Sequence, residues 1–322
     1  MAQYNLLGVG NNAKTVKGDS EIYLTAIMYM APYDIATNKG GAICPMAKIA
    51  KCYEGCLYSA GRGQMNSVQA SRIRKTKLYL NDKDKFSVML YEDVVKFRKY
   101  CLKRDLIPVV RLNGTSDINF KWLVKLFPDV QFYDYTKVIN RIDKDMPSNY
   151  HVTLSYSEAN TKYAKDVLNK AIKNNVNMAV VFRDKNNIPK TFKGLPVIDG
   201  DKDDLRFLDA KGANVVALYA KGAAKRDNTG FVIDGTSKFM QWVNNKWLTW
   251  KVISMDIILN KYDRFHSTMS IVLTLNPSIS VKQTNQIAEI LNPIPNEIRN
   301  LTNEQIIKEL KWLTNLSPYR LA

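Results

Sequence analysis

The sequence predicts an α/β fold, an incomplete parallel (β/α) barrel of about six units over residues 1–239 with a small α+β accessory module over 240–322. Three observations carry this expectation. Short apolar, aromatic-rich runs alternate with helical stretches between residues 21 and 221. Polar residues gather where those runs end. Composition then shifts near Met240, with Trp242, Trp247 and Trp250 falling within nine residues. A span of about 200 residues is short for eight full barrel units, so the barrel is expected to be incomplete.

Taken in chain order, Glu21–Met30 alternates as a strand and delivers a cysteine-rich loop. Helices are expected over Asn66–Leu80 and Asp84–Arg104. In the second, Phe86, Leu90, Val94, Phe97 and Cys101 recur at four- and three-residue spacing, the stripe of a helix packed on a core. That placement makes Cys101 a buried apolar side chain rather than a ligand. Strands are predicted at Ile107–Leu112, Val130–Tyr135, His151–Ser155, Met178–Phe182, Leu195–Asp199 and Val215–Tyr219. A helix over Thr161–Asn174 puts Ala164, Leu168 and Ile172 on one face. In the tail, Trp250–Ile253 and Ser270–Leu273 are strand-like, and Pro277, Pro293 and Pro295 break the chain beyond them. A last helix is expected from Thr302, with Gln305 completing a capping box. The Trp cluster fits core or interface packing.

Composition excludes several classes. Of 322 residues, 46% are apolar and 24% charged, which rules out wholesale disorder. No run approaches the roughly twenty apolar residues of a membrane span, and the Met1–Asn5 start lacks a signal peptide's pattern, so a cytosolic, non-membrane protein is expected. The formal net charge is +17; residues 241–322 hold nine Lys or Arg against six Asp or Glu, so +14 lies before them. Such a field attracts nucleotides or nucleic acid, with a solvated lysine-rich surface as the alternative. The densest basic run, Arg72, Arg74, Lys75 and Lys77, lies on the first predicted helix.

Chemistry concentrates in the cysteines. Cys44, Cys52 and Cys56 fall within thirteen residues of a chain that has four cysteines in all. In a reducing compartment thiols so close together point to a shared metal rather than a disulfide framework. A closed four-ligand zinc site would need a distant partner, with His151 and His266 the chain's two histidines. An iron-sulfur cluster with one iron not ligated by protein needs no fourth residue. A [4Fe-4S] cluster is therefore the leading expectation and zinc the alternative. Gly61, Arg62 and Gly63 offer a backbone that could approach a cluster or an anion closely. In parallel α/β folds functional groups collect at strand ends, and those ends carry Arg111, Asn113, Ser116, Asp117, Asp134, Lys137, Ser155 and Glu158 as candidates for holding cofactor or substrate.

Two resemblances add to this reading. The chain resembles the phage gene product 88 family over roughly residues 5–238, through Asn12-Ala13-Lys14-Thr15, Cys44-Pro45, Cys56-Leu57-Tyr58-Ser59-Ala60-Gly61-Arg62-Gly63, Arg111-Leu112-Asn113-Gly114-Thr115-Ser116-Asp117, Phe132-Tyr133-Asp134-Tyr135-Thr136-Lys137 and Val197-Ile198-Asp199-Gly200-Asp201. This likeness implies a viral protein in the cytoplasm of a bacterial host, where residues 240–322 could contact a host protein. More remotely, a first strand followed by a three-cysteine loop and further α/β units is similar to the radical S-adenosylmethionine enzymes. Their usual spacing is three then two intervening residues, against seven then three here. This second resemblance implies a [4Fe-4S] cluster on Cys44, Cys52 and Cys56, S-adenosylmethionine as cofactor, and radical chemistry on a nucleotide or nucleic-acid-related substrate. The alternative from another class is a phage nucleic-acid-binding protein whose loop is stapled by zinc.

Overall fold

The computed structural model describes residues 5–9, 21–36 and 43–235. The module expected over 240–322, the helix expected from Thr302 and the Asn12–Thr15 motif lie outside the described residues.

The described residues form ten strands in chain order: β1 (Leu7–Val9), β2 (Tyr23–Met28), β3 (Ile107–Arg111), β4 (Gln131–Thr136), β5 (Tyr150–Ser155), β6 (Met178–Phe182), β7 (Thr191–Phe192), β8 (Leu195–Asp199), β9 (Val215–Tyr219) and β10 (Val232–Ile233). Along the sheet they run β1-β2-β3-β4-β5-β6-β9-β8-β7, with β10 paired to β6. From β2 to β8 neighbouring strands are parallel, as the alternation of strands and helices predicts.

The sheet is open, so the expected barrel does not form. Strands β2 to β6 step one neighbour at a time, as a barrel would. The order then reverses, with β9 returning between β6 and β8. Each edge ends in an antiparallel addition, β1 on β2 and β7 on β8. The outer hairpin turns through Lys193 and Gly194, both at positive φ (52° and 80°), the conformation that a two-residue hairpin loop requires. The three- and two-residue edge strands are too short to be read from periodicity.

Five α-helices accompany the strands among the described residues: α1 (Ala47–Ala50), α2 (Asn66–Asn81), α3 (Lys83–Leu102), α4 (Lys121–Leu126) and α5 (Thr161–Asn174). Asp82 caps α3 by accepting the Lys85 N–H at 2.9 Å. Its predicted stripe of Phe86, Leu90, Val94, Phe97 and Cys101 is buried; each large apolar side chain there stabilises the fold by about 1.5–3 kcal/mol. Asp93 lies buried on the same helix and accepts the N–H groups of Asn5, Leu6 and Leu7 at 3.0, 2.6 and 3.0 Å, which fastens β1 to it. On α5 the buried face is Tyr163, Ala164, Val167 and Ala171, and Ile172 is 52% exposed rather than sharing that face. Steps of four residues rotate about 40° each, so a third position drifts off the stripe, whereas mixed three- and four-residue steps hold it.

Alternation along the strands divides the sheet. Val110, Phe132, Val152, Leu154, Val180 and Val215 join the main core with α3, α4 and α5. Tyr133 belongs to a second cluster with Val109 and Leu205, against which Tyr23 and Phe207 pack. Parity therefore puts Arg111, Tyr133, Tyr135 and Ser155 on the face opposite the main core. One seam is split. β5 pairs with β6 at Met178 and Ala179, while β10 pairs with it at Val181 and Phe182, so β10 wedges in at the carboxyl end.

Candidate functional site

At the carboxyl ends of the parallel strands a cavity of about 210 Å³ opens, and Cys44, Cys52 and Cys56 all line it. The loop that carries them is tied down from several sides. The Asp117 N–H donates to Ile43 O at 2.6 Å, just before Cys44. Ser157 Oγ, beyond the end of β5, donates to Ala50 O at 2.8 Å, just before Cys52. The one-turn helix α1 ends at Lys51 in the left-handed conformation (φ 52°), which turns the chain into Cys52. A Cβ on Gly55 would lie 3.1 Å from the Phe231 ring and 3.2 Å from Ala224, so the loop packs closely on the segment that leads into β10.

The thiols sit in an apolar environment. Burial pushes Cys44 up to about 12 and Cys56 up to about 11, and raises Cys52 as well. The thiolate forms are favoured in turn by the backbone N–H of Tyr33 at Cys44 and of Tyr58 at Cys56. Lys137 lowers Cys52 and Cys56, and Arg72 lowers Cys56. Arg72 is itself buried, with its guanidinium over the Tyr29 and Tyr58 rings at 4.8 and 5.5 Å. Among the described residues no three His, Cys, Asp or Glu side chains form a group that could hold a metal ion as they stand.

The predicted polar residues meet here in part. Arg111, Asn113, Ser116, Asp117, Lys137 and Ser155 line the cavity. Several are committed to one another. Asn113 receives Ser116 Oγ at 2.9 Å and the Ile118 N–H at 2.8 Å on its carbonyl oxygen. Its amide donates to Ile118 O and to Asp134 Oδ2, both at 3.0 Å. Asp117 accepts Thr136 Oγ1 and the Lys137 N–H, each at 2.8 Å, and Arg141 Nη1 lies 3.0 Å from it as an ion pair. These bonds shape the β3–α4 loop at the cavity wall. Gly114 lets that loop approach β2: a Cβ there would lie 2.6 Å from the Tyr29 ring and 2.8 Å from Met28 O.

Two candidates fall elsewhere. Asp134 is buried on the main-core face of β4, where Asn113 and Tyr150 hold it; burial raises its carboxyl to about 6 against the pull of those donors. Glu158 accepts Tyr156 OH at 3.1 Å and pairs with Lys193 at 2.9 Å, away from the cavity wall. Gly61, Arg62 and Gly63 do not line the cavity either; they form a 3-10 turn. A Cβ on Gly63 would lie 2.6 Å from Tyr58 O, so this glycine serves close packing. The basic run is also divided: Arg72 points inward, and Lys75 Nζ donates to Leu6 O at 2.6 Å, which leaves Arg74 and Lys77 as its exposed members.

The cavity gains residues that no sequence pattern marks as ligand-facing. Phe231 carries the Lys137 ammonium over its ring at 5.0 Å and arrives only because β10 enters the β5–β6 seam. Tyr33 and Tyr53 stack at 5.2 Å at the cavity wall. Tyr135 shares β4 with Asp134, and strand parity is the signal that singles it out as the member facing the cavity. Lys221 donates to Asp201 at 2.6 Å.

A family model described as Gene product 88 matches residues 5–235. No curated protein and no solved structure matches the chain, so the likeness to radical S-adenosylmethionine enzymes finds no support in these comparisons. Among the described residues no helix is long and apolar enough to cross a membrane.

Proposed function

The chain belongs to the gene product 88 family, and from that premise we propose that it is a phage iron-sulfur protein, an enzyme of radical S-adenosylmethionine type acting on a nucleotide or nucleic-acid-related substrate. One observation carries the reading: three thiols separated by seven and three residues line a single cavity at the carboxyl ends of parallel strands, the place where α/β folds put their chemistry.

The donor set favours a cluster over a single ion. A closed zinc site needs a fourth protein ligand beside the three thiolates, and the fourth cysteine, Cys101, is buried in the main core. An iron-sulfur cluster with one iron not ligated by protein would need only Cys44, Cys52 and Cys56 to hold it. Apolar walls, the N–H groups of Tyr33 and Tyr58 and the nearby Lys137 and Arg72 charges suit thiolates bound to such a centre. When bound, the cluster would supply the electron that cleaves S-adenosylmethionine to a carbon radical. The chain's own part is to hold Cys44 and Cys52 through the Ile43 and Ala50 carbonyl anchors, and to wall the cavity with Tyr33, Tyr53 and Phe231 against water.

The nucleic-acid reading gains nothing specific, since two of the four cations in the basic run are turned inward. The test is anaerobic reconstitution with iron and sulfide. The expected product is brown, absorbs broadly at about 400 nm and carries roughly four irons per chain; added reductant then cleaves S-adenosylmethionine. A colourless protein that takes up stoichiometric zinc instead overturns the proposal.

A further inference from the structure

Arg72 is 8% exposed, and its Nε and Nη1 have no hydrogen-bond partner among the described residues. No carboxylate is among the groups that act on it: burial lowers the guanidinium, and Tyr29, Cys56 and Tyr58 pull it back up. Lys75, three residues on, adds a like charge rather than a partner. The Tyr29 and Tyr58 rings offset part of the desolvation. The rest calls for an opposite charge.

The position of this cation is built. Thr76 Oγ1 accepts the Ala31 N–H at 2.9 Å and donates to Ala31 O at 3.1 Å, and Arg72 O accepts the same N–H at 3.3 Å, which staples α2 to the segment after β2. A Cβ on Gly63 would meet Arg72 Nη1 at 3.1 Å, Tyr58 O at 2.6 Å and Leu57 O at 3.3 Å. The guanidinium therefore lies against the backbone that directly follows Cys56, in room that the glycine leaves. Arg72 does not line the cavity, but a charge acts across an apolar wall without contact. A dication held by three thiolates, whether zinc or the oxidised core of a four-iron cluster, carries a net negative charge.

We infer that Arg72 is the counter-charge of a metal–thiolate centre at Cys44, Cys52 and Cys56, a positioning residue whose buried cation is compensated when the centre is loaded. The inference rests on the proposed function for the presence of a thiolate-bound metal, and not for which metal it is.

The full-length chain and its Arg72→Met and Arg72→Lys variants are each loaded anaerobically with iron and sulfide and, in parallel, with zinc. Arg72→Met, which removes the charge and keeps an unbranched side chain, is expected to yield its metal to a competing chelator about tenfold more readily, and Arg72→Lys to stay within about threefold of wild type. In brown protein the midpoint potential of the centre falls in Arg72→Met, because loss of a nearby positive charge favours the oxidised form; a tenfold change in that balance is about 59 mV for one electron. Urea denaturation separates this from packing: a counter-charge lowers the midpoint of the loaded protein more than that of the metal-free protein. Arg72→Gln serves if Arg72→Met fails to fold. Brown protein whose metal retention and potential are unchanged in the neutral variant, or whose loaded and metal-free midpoints fall equally, overturns this inference alone. Colourless protein whose zinc is weakened by Arg72→Met overturns the iron reading alone. Zinc held equally by both in colourless protein, or a wild type that takes up neither metal, overturns both.

Discussion

Asp134 grips Asn113 from two directions, accepting its backbone N–H at 2.8 Å on Oδ1 and its side-chain amide at 3.0 Å on Oδ2. Through Asn113 the buried carboxylate sets the β3–α4 loop, because the amide oxygen of Asn113 in turn receives Ser116 and Ile118. Asn113→Ala strips Asp134 of one donor and leaves the Ile118 N–H unpaired. Urea denaturation is expected to show a loss of about 2–4 kcal/mol, with Asn113→Asp no better because it sets a second carboxylate against the first.

The same carboxylate makes stability depend on pH. Its folded-state value is raised from 3.8 to about 6 by burial, so the folded protein binds the proton more tightly than the unfolded chain. That contribution is present below pH of about 4 and is lost as pH rises to about 6. His151, lowered by burial to about 4, works in the opposite sense over an overlapping range, so the measurement is the difference between wild type and Asp134→Asn. The wild type should lose stability relative to the variant between these pH values. A difference that stays flat would show that Asp134 titrates normally.

The cysteines should separate into two kinds. Cys44→Ala, Cys52→Ala and Cys56→Ala should each abolish or severely reduce iron uptake and the absorption at about 400 nm after reconstitution, with only a modest change in stability. Cys101, fully buried in the main core, should do the reverse: Cys101→Ala keeps the iron and costs about 1–2 kcal/mol in denaturation. Iron retained by any of the first three variants at wild-type stoichiometry would remove that residue from the ligand set.

Gly114 should tolerate no side chain. A methyl group would lie 2.6 Å from the Tyr29 ring and 2.8 Å from Met28 O, so Gly114→Ala must move either the ring or the backbone of β2. The expected cost is about 1–3 kcal/mol in thermal or denaturant unfolding. Gly61, with no atom near its absent Cβ but with φ at 54°, should show a smaller loss on substitution by alanine, on the order of 1 kcal/mol.

The outline of the fold was legible because strand and helix leave short-range signatures. The α3 stripe from Phe86 to Cys101 and the runs Met178–Phe182, Leu195–Asp199 and Val215–Tyr219 are visible to a period of 3.6 or to a β-branched run. The site was legible less evenly. Six polar candidates do reach the cavity, since strand ends gather at one side of a parallel sheet. Asp134 and Glu158 do not line it, because alternation and loop geometry send their carboxylates to Asn113 and Tyr150, and to Tyr156 and Lys193.

The α/β elements, the basic balance and the clustering of three cysteines behind the first long strand all depend on neighbours in the chain and can be read along it. That the sheet stays open is a matter of long-range pairing, since closure depends on β9 returning inside β8 and on antiparallel strands ending both edges. It likewise brought Phe231 to Lys137 and Asp204 to Arg111. Those relationships join residues up to about a hundred positions apart, where the pairing of strands rather than local periodicity sets which groups meet.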